Sequence, residues 1–177
     1  MLTDRGFDMK MYYDKDGDVK ILTLNEIKNK LNENNIQIIV GKNDNKTCIL
    51  FFDKKIGIEL VKEIISNIIP LNLNRLILVV KDKLTSFAKK ELQNLPISFE
   101  IEIFLQQEVL FNVTHHEFVP KHILLTDKED IKDIYETYGT SLPRISKTDK
   151  ISRYYGAKVG QIFKILRKNT IYYRLVY

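Results

Sequence analysis

The chain has 177 residues and 20.8 kDa, with 44% apolar and 29% charged residues and a formal charge of +5. That apolar fraction excludes a fully disordered chain, and the length suits one or two small domains that bury roughly 70% of their unfolded surface. The single Cys48 excludes an intramolecular disulfide framework and a Cys-based zinc cluster. The start, Met1-Leu2-Thr3-Asp4-Arg5-Gly6, is too polar for a signal peptide, and no apolar run approaches the 18 residues of a membrane span, so a soluble protein of a reducing compartment is expected. Ile, Lys and Asn make up a third of the residues, the mark of AT-rich coding.

The first half reads as helix alternating with strand. Thr23-Leu24-Asn25-Glu26 has capping-box spacing and predicts a helix to about residue 33. Two apolar runs, 36–40 and 48–52, flank the polar turn Gly41-Lys42-Asn43-Asp44-Asn45 and predict a hairpin. Ile58, Val61, Ile64, Ile65 and Ile68 recur at helical spacing and predict a helix over 57–69, ended by Pro70. Residues 76–80 form a buried-strand run, and 85–92 a short helix. Over 98–104, Phe99, Ile101 and Ile103 alternate with Ser98, Glu100 and Glu102, the period of a half-buried strand. Strands alternating with helices imply α/β layers.

A second half opens after Phe111. Thr126-Asp127-Lys128-Glu129 predicts another capping box, with Gly139 closing the helix as a left-handed cap and Ile131, Ile134 and Tyr135 as its buried stripe. A short helix is expected over 149–155, stopped by Gly156, and then a hairpin of 161–167 and 170–176 around Lys168-Asn169. The expected core of this half joins Ile131, Ile134 and Tyr135 to Phe163, Ile165, Ile171 and Tyr173. The fold class is therefore α/β (α+β) in two small domains, 1–111 and 112–177, the second with a mixed sheet ending in a hairpin. At 66 residues, 112–177 is large enough to fold by itself.

Charge separates the halves too. Residues 1–110 carry 16 basic and 16 acidic side chains, and 111–137 carry three basic and six acidic. Residues 138–177 hold nine basic side chains against Asp149 alone, which favours a phosphate backbone or an acidic protein surface as partner. Arg153, Tyr154, Tyr155, Lys158, Lys164, Arg167, Lys168, Tyr172, Tyr173 and Arg174 mix cations with rings that can stack on bases, but the same types are enriched at protein interfaces.

Catalytic and metal chemistry finds little support. His115, His116 and His122 lie close together with Glu117, yet adjacent residues of an extended segment face opposite ways, so structural or interface histidines are expected instead of a zinc site. Cys48 lies inside an apolar strand, where a thiol is buried and inert. Asp14, Asp16 and Asp18 alternate near Gly17 like a calcium loop, but no Glu follows at the spacing that loop needs. Gly156-Ala157-Lys158-Val159-Gly160 lacks Walker spacing.

Asn112-Val113-Thr114-His115-His116-Glu117-Phe118-Val119-Pro120-Lys121-His122 closely resembles the segment that opens the C-terminal domain of the fifth subunit of eukaryotic RNA polymerases, and the small archaeal polymerase protein of the same family is similar there. The resemblance continues through Leu142-Pro143-Arg144-Ile145, Arg153-Tyr154-Tyr155-Gly156, Lys164-Ile165-Leu166-Arg167-Lys168 and Tyr173-Arg174-Leu175-Val176. In the first half, Asp4-Arg5-Gly6-Phe7 matches an early family string. Lys83-Leu84-Thr85-Ser86-Phe87-Ala88 looks like the loop and helix start that face downstream DNA. The chain departs from the family in starting late, without most of the first helix, which bears on the jaw contacts. It also has Lys150 where a proline often stands and a shorter turn at Lys168-Asn169-Thr170.

The resemblance implies a non-catalytic subunit of a DNA-directed RNA polymerase. Residues 1–111 would be the lower jaw guiding downstream duplex DNA, with Lys83, Thr85, Ser86, Lys89 and Lys90 facing it. Residues 112–177 would be the assembly domain, docked on the largest subunit and near other small subunits through His115, His116, Glu117, Pro120, His122, Pro143, Arg144, Arg153, Tyr154 and Tyr155. Nucleotide addition and its magnesium would belong to the two largest subunits, so the chain is expected to need no cofactor, metal, membrane or small-molecule substrate. Its composition fits both an AT-rich protist, with a nuclear location, and a large DNA virus encoding its own polymerase, with a location in the cytoplasmic viral factory or virion. Two other classes stay open: a stand-alone nucleic-acid-binding module or transcription cofactor, which would bind in a salt-sensitive way, and a nuclease using strand-borne acids such as Glu100 and Glu102.

Overall fold

A computed structural model describes residues 1–7, 11–13, 19–21, 35–42, 45–53, 55–71, 73–96, 99–139 and 141–177. The helix expected over 23–33 and the aspartates of the 14–18 turn lie outside the described residues. The rest form two compact units: Gly6–Phe111 with Leu2, and Asn112–Tyr177 with Met1 and Thr3–Arg5. Each contains its own mixed sheet with helices.

The first unit is built on a six-stranded sheet of order β2-β1-β3-β4-β5-β6. Its strands are β1 (Met11–Tyr13), β2 (Val19–Ile21), β3 (Asn35–Lys42), β4 (Asn45–Phe52), β5 (Arg75–Val80) and β6 (Glu100–Leu105). β3 and β4 form the expected hairpin, antiparallel from Asn35 opposite Phe52 to Lys42 opposite Asn45. β4, β5 and β6 are parallel neighbours, as strands joined through helices must be. The connecting helices are α1 (Ile58–Ile68) and α2 (Ser86–Gln93), and a short α3 (Gln106–Val109) follows β6. Around Pro70 the end of α1 tightens into a 3-10 turn, Ile69–Leu71. α2 starts where Thr85 Oγ1 accepts the Ala88 N–H at 3.2 Å.

Strand alternation and helix periodicity meet in one core. Cys48, Leu50 and Phe52 of β4 and Leu76, Leu78 and Val80 of β5 pack with Val61, Ile64 and Ile68 of α1 and with Ala88 and Leu92 of α2. Ile49, Ile77 and Val79 alternate with them and are buried as well. Burial on both faces explains why β5 reads as an unbroken apolar run. β6 runs from Glu100 to Leu105, the expected Ser98 lies outside the described residues, and as an edge strand β6 has only Phe104 fully buried.

In the second unit the sheet order is β7-β9-β10-β8, with β7 (Lys121–Leu124), β8 (Arg144–Ile145), β9 (Ile162–Arg167) and β10 (Thr170–Val176). β9 and β10 form the terminal hairpin with Arg167 opposite Thr170, and β8 joins β10 in parallel. Two helices complete the unit, α4 (Lys128–Tyr138) and α5 (Lys150–Tyr155).

Three details differ from expectation. α4 is capped by Asp127, whose carboxylate accepts the Glu129 N–H at 2.8 Å, so the Thr126 box does not form. An ionised acceptor is favoured at this end by the helix dipole. Gly139 has φ 72° but ψ −170°, a positive-φ conformation open to glycine but outside the left-handed helical region, so it is not the expected left-handed cap, although its N–H still reaches the Tyr135 carbonyl. Lastly, the expected core divides in two. Ile162, Leu125 and Leu142 pack with Ile131, Ile134, Tyr135 and Tyr173, whereas Phe163, Ile165, Ile145, Val176 and Ala157 pack with Ile151. Neighbouring strand residues face opposite ways, which separates Phe163 and Ile165 from α4, and Ile171 is left 51% exposed.

Phe163→Ala should therefore destabilise this unit by about 3–5 kcal/mol, whereas Ile171→Ala should stay within about 0.5 kcal/mol of the unsubstituted chain. Urea unfolding followed by circular dichroism measures both, and equal effects would contradict the two-faced core.

Candidate functional site

The C-terminal end of α5 gathers residues from opposite ends of the chain. Asp149 caps the helix by accepting the Ile151 N–H at 2.8 Å, and Lys150 takes the first helical position, where proline is favoured in general. Gly156, at φ 63° and ψ 35°, closes it in a left-handed turn. Ala157 N–H bonds the Ser152 carbonyl at 2.8 Å and Gly156 N–H the Arg153 carbonyl at 3.1 Å, the paired bonds of a Schellman motif. Arg5 enters here. Its Nε donates to the Tyr154 carbonyl at 2.7 Å and an Nη to the Arg153 carbonyl, while the Tyr154 hydroxyl donates to the Asp4 carboxylate. Arg5 is only 7% exposed. Asp4 and Arg5 thus meet Arg153, Tyr154 and Gly156, a pairing that no local pattern announces across 149 residues.

The remaining sequence candidates of this unit are divided between core and surface. Tyr154 is buried, and burial, then its bond to Asp4, push its hydroxyl above the usual value. Tyr155 is half-buried, with its hydroxyl on the His122 carbonyl at 2.9 Å and its ring against Phe163. His122 bonds the Pro120 carbonyl through Nδ1 at 2.7 Å and sets its ring edgewise on Phe163. Pro120 and Arg153 are half-buried too. His115, His116, Glu117, Pro143 and Arg144 are exposed. Their backbone is well held. The Asn112 side chain accepts from the Thr114 N–H and hydroxyl to open the 3-10 turn Val113–His115, and Leu142 and Ile145 are buried on either side of Pro143-Arg144. Beside the histidines, Phe118 is 82% exposed, an apolar surface residue that sequence reasoning did not single out.

In the first unit, the five candidates fall on the β5–α2 loop and on α2. Lys83, Ser86, Lys89 and Lys90 are exposed, while Thr85 is half-buried and engaged as the cap of α2. The buried Leu84 and Ala88 anchor this stretch, and Phe87 stands 72% exposed among the lysines. Glu100 and Glu102 are not arranged as a catalytic pair. The Arg75 guanidinium bonds Glu100 directly opposite it in the sheet and lies 3.9 Å from Glu102. Cys48 is fully buried, and desolvation pushes its thiol up to about 12. Among the described residues no three His, Cys, Asp or Glu side chains converge as a metal site, and no helix is long and apolar enough to cross a membrane.

Residues 111–177 match the family described as RNA polymerase Rpb5, C-terminal domain. The chain is 35% identical over 152 residues to the DNA-directed RNA polymerases I, II, and III subunit RPABC1 of Caenorhabditis elegans, a match covering 80% of this chain and 72% of the relative. It is 37% identical over 142 residues to the Dictyostelium discoideum subunit rpabc1, covering 76% and 72%. It is 30% identical over 180 residues to the DNA-directed RNA polymerase subunit 5-like protein 1 of Arabidopsis thaliana, covering 96% and 84%. Proteins of this class are non-catalytic polymerase subunits of the eukaryotic type. The chain belongs to that family, RNA polymerase Rpb5.

His122 makes the second unit sensitive to pH. Burial holds its imidazole below the usual 6.5, with Arg174 and Arg167 acting the same way, and the Pro120 carbonyl and Asp149 opposing. The unfolded state therefore binds the proton more readily, so this contribution is complete above 6.5 and is lost as pH falls through the lower folded value. The thermal midpoint should fall between about pH 7.5 and about pH 5.5, and His122→Gln should flatten that slope. An unchanged slope in the variant would show that other groups set it.

Proposed function

We propose that this chain is a structural subunit of a multisubunit DNA-directed RNA polymerase, docked on the largest subunit through residues 112–177, with residues 1–111 forming the lower jaw that guides downstream DNA. The observation that carries this reading is the extent of the likeness. The family match covers 111–177, while identity to the nematode subunit runs over 152 residues and so reaches well into the first unit. Neighbouring small subunits and the duplex complete the set of partners, and nucleotide addition with its magnesium is the task of the largest subunits. The chain would act in the nucleus if cellular, or in a cytoplasmic viral factory or virion if viral.

For the assembly role, exposed His115, His116, Glu117, Pro143 and Arg144 are the available contact groups, whereas the side chains of Tyr154 and Tyr155 support them from within. Among the described residues Arg144 has no acidic partner, so its guanidinium is open to a bidentate contact with a carboxylate or backbone carbonyls of the largest subunit. Losing such a contact should cost about 2–5 kcal/mol of binding. Arg144→Ala co-expressed with the largest subunit should therefore give a reduced pull-down, and wild-type yield would mark Arg144 as an ordinary surface cation.

For the jaw, Lys83, Ser86, Lys89 and Lys90 offer an exposed cationic surface next to the capped start of α2. Phosphate contacts of this kind position a duplex without reading its sequence. Lys83→Glu, Lys89→Glu and Lys90→Glu together should shorten the lifetime of elongation complexes at low salt and have less effect at high salt, where screening already weakens surface charge. Unchanged lifetimes and salt response would remove the jaw contact from the proposal.

A further inference from the structure

We propose that the C-terminal end of α5 is a guanidinium-binding site, for which the chain's own Arg5 is a separable ligand. The Arg153 and Tyr154 carbonyls that meet the guanidinium stand 148 and 149 positions away along the chain. Both lie in the last turn of α5, where a helix concentrates partial negative charge, and the Arg153 carbonyl accepts the Gly156 N–H as well. Gly156 supplies the floor. A Cβ built on it would stand 3.0 Å from Cζ of Arg5, 3.1 Å from Nη1 and 3.4 Å from Nε. Because Cζ is nearer than either nitrogen, the glycine lies over the face of the guanidinium plane, while the N–H edges point to the carbonyls. Such a site selects a flat cation with donors along its rim, and a tetrahedral ammonium matches neither the floor nor the fork.

Residues 3–5 belong to the unit formed by 112–177, whereas 6–111 form the other. Ligand and acceptors therefore lie within the same unit.

Chemical rescue in the full-length chain tests this. Arg5→Ala should lower the thermal midpoint of the second unit by about 5 °C or more. Ethylguanidinium, which replaces the deleted part of the side chain, should raise that midpoint by mass action and restore hydrogen-exchange protection to the Gly156 and Ala157 amides. Ethylammonium at equal concentration should do neither, neither compound should raise the midpoint of the unsubstituted chain, and Arg5→Lys should behave like Arg5→Ala. A wild-type midpoint for Arg5→Ala, equal rescue by ethylammonium, or full stability of Arg5→Lys would each overturn the proposal. Should Arg5→Ala fail to fold, refolding with each compound decides: recovery with ethylguanidinium alone supports the site, and any other pattern overturns it.

Discussion

A strand can lie in the middle of a layered domain only if both of its faces are apolar, and both units rest on such a strand. In the first it is β5, where Leu76, Leu78 and Val80 face α1 and α2 while Ile77 and Val79 are buried between them in sequence. In the second it is β9, where Ile162 and Phe163 are adjacent and both fully buried. Ile162 belongs to the α4 side, and Phe163 to the side of α5. Once these positions are set, helices must cover the faces, and polar groups are left for loops, helix ends and sheet edges.

Those leftover places are where the exposed candidate residues of this chain occur. The lysines of the β5–α2 loop and α2 follow directly from the C-terminal end of β5, and buried Leu84 and Ala88 hold them in place. His115, His116 and Glu117 sit on a loop that Asn112 stiffens before β7 begins. Where the backbone is already held, a partner has only side chains left to order, and that lowers the entropic cost of assembly.

Much of this was legible because it depends on neighbours in sequence. Helix periodicity marked α1 and α4, the apolar runs marked the β3–β4 hairpin, and Gly156 marked the end of α5. The errors came from competition and from distance. At α4 two adjacent residues could cap the helix, and the carboxylate of Asp127 prevailed over the hydroxyl of Thr126. In the second core, period-two geometry put Phe163 and Ile165 on the face away from α4, a fact that apolar residue type does not carry. Arg5 was legible only as part of a family string, since its acceptors are backbone carbonyls and carry no residue signature. Tyr154 and Tyr155 were recognised by the same route. Their rings and hydroxyls serve the interior of the unit, which the string alone does not distinguish from a partner surface.

A subunit must exist free, however briefly, before it finds its complex, and an open sheet is then exposed to pairing with other chains. In the second unit the length of the border strands decides how much edge is open. Its outer strands are β7, of four residues, and β8, of only two. β7 borders β9 from Phe163 to Leu166, whereas β8 borders β10 only at Leu175 and Val176, so among the described residues Thr170–Arg174 has a strand on its β9 side alone. Arg174 places a charge on that stretch, one of the features that discourage a foreign strand at an edge. The brevity of β8 therefore leaves the start of β10 as the open edge of the unit, the place where an added strand would pair.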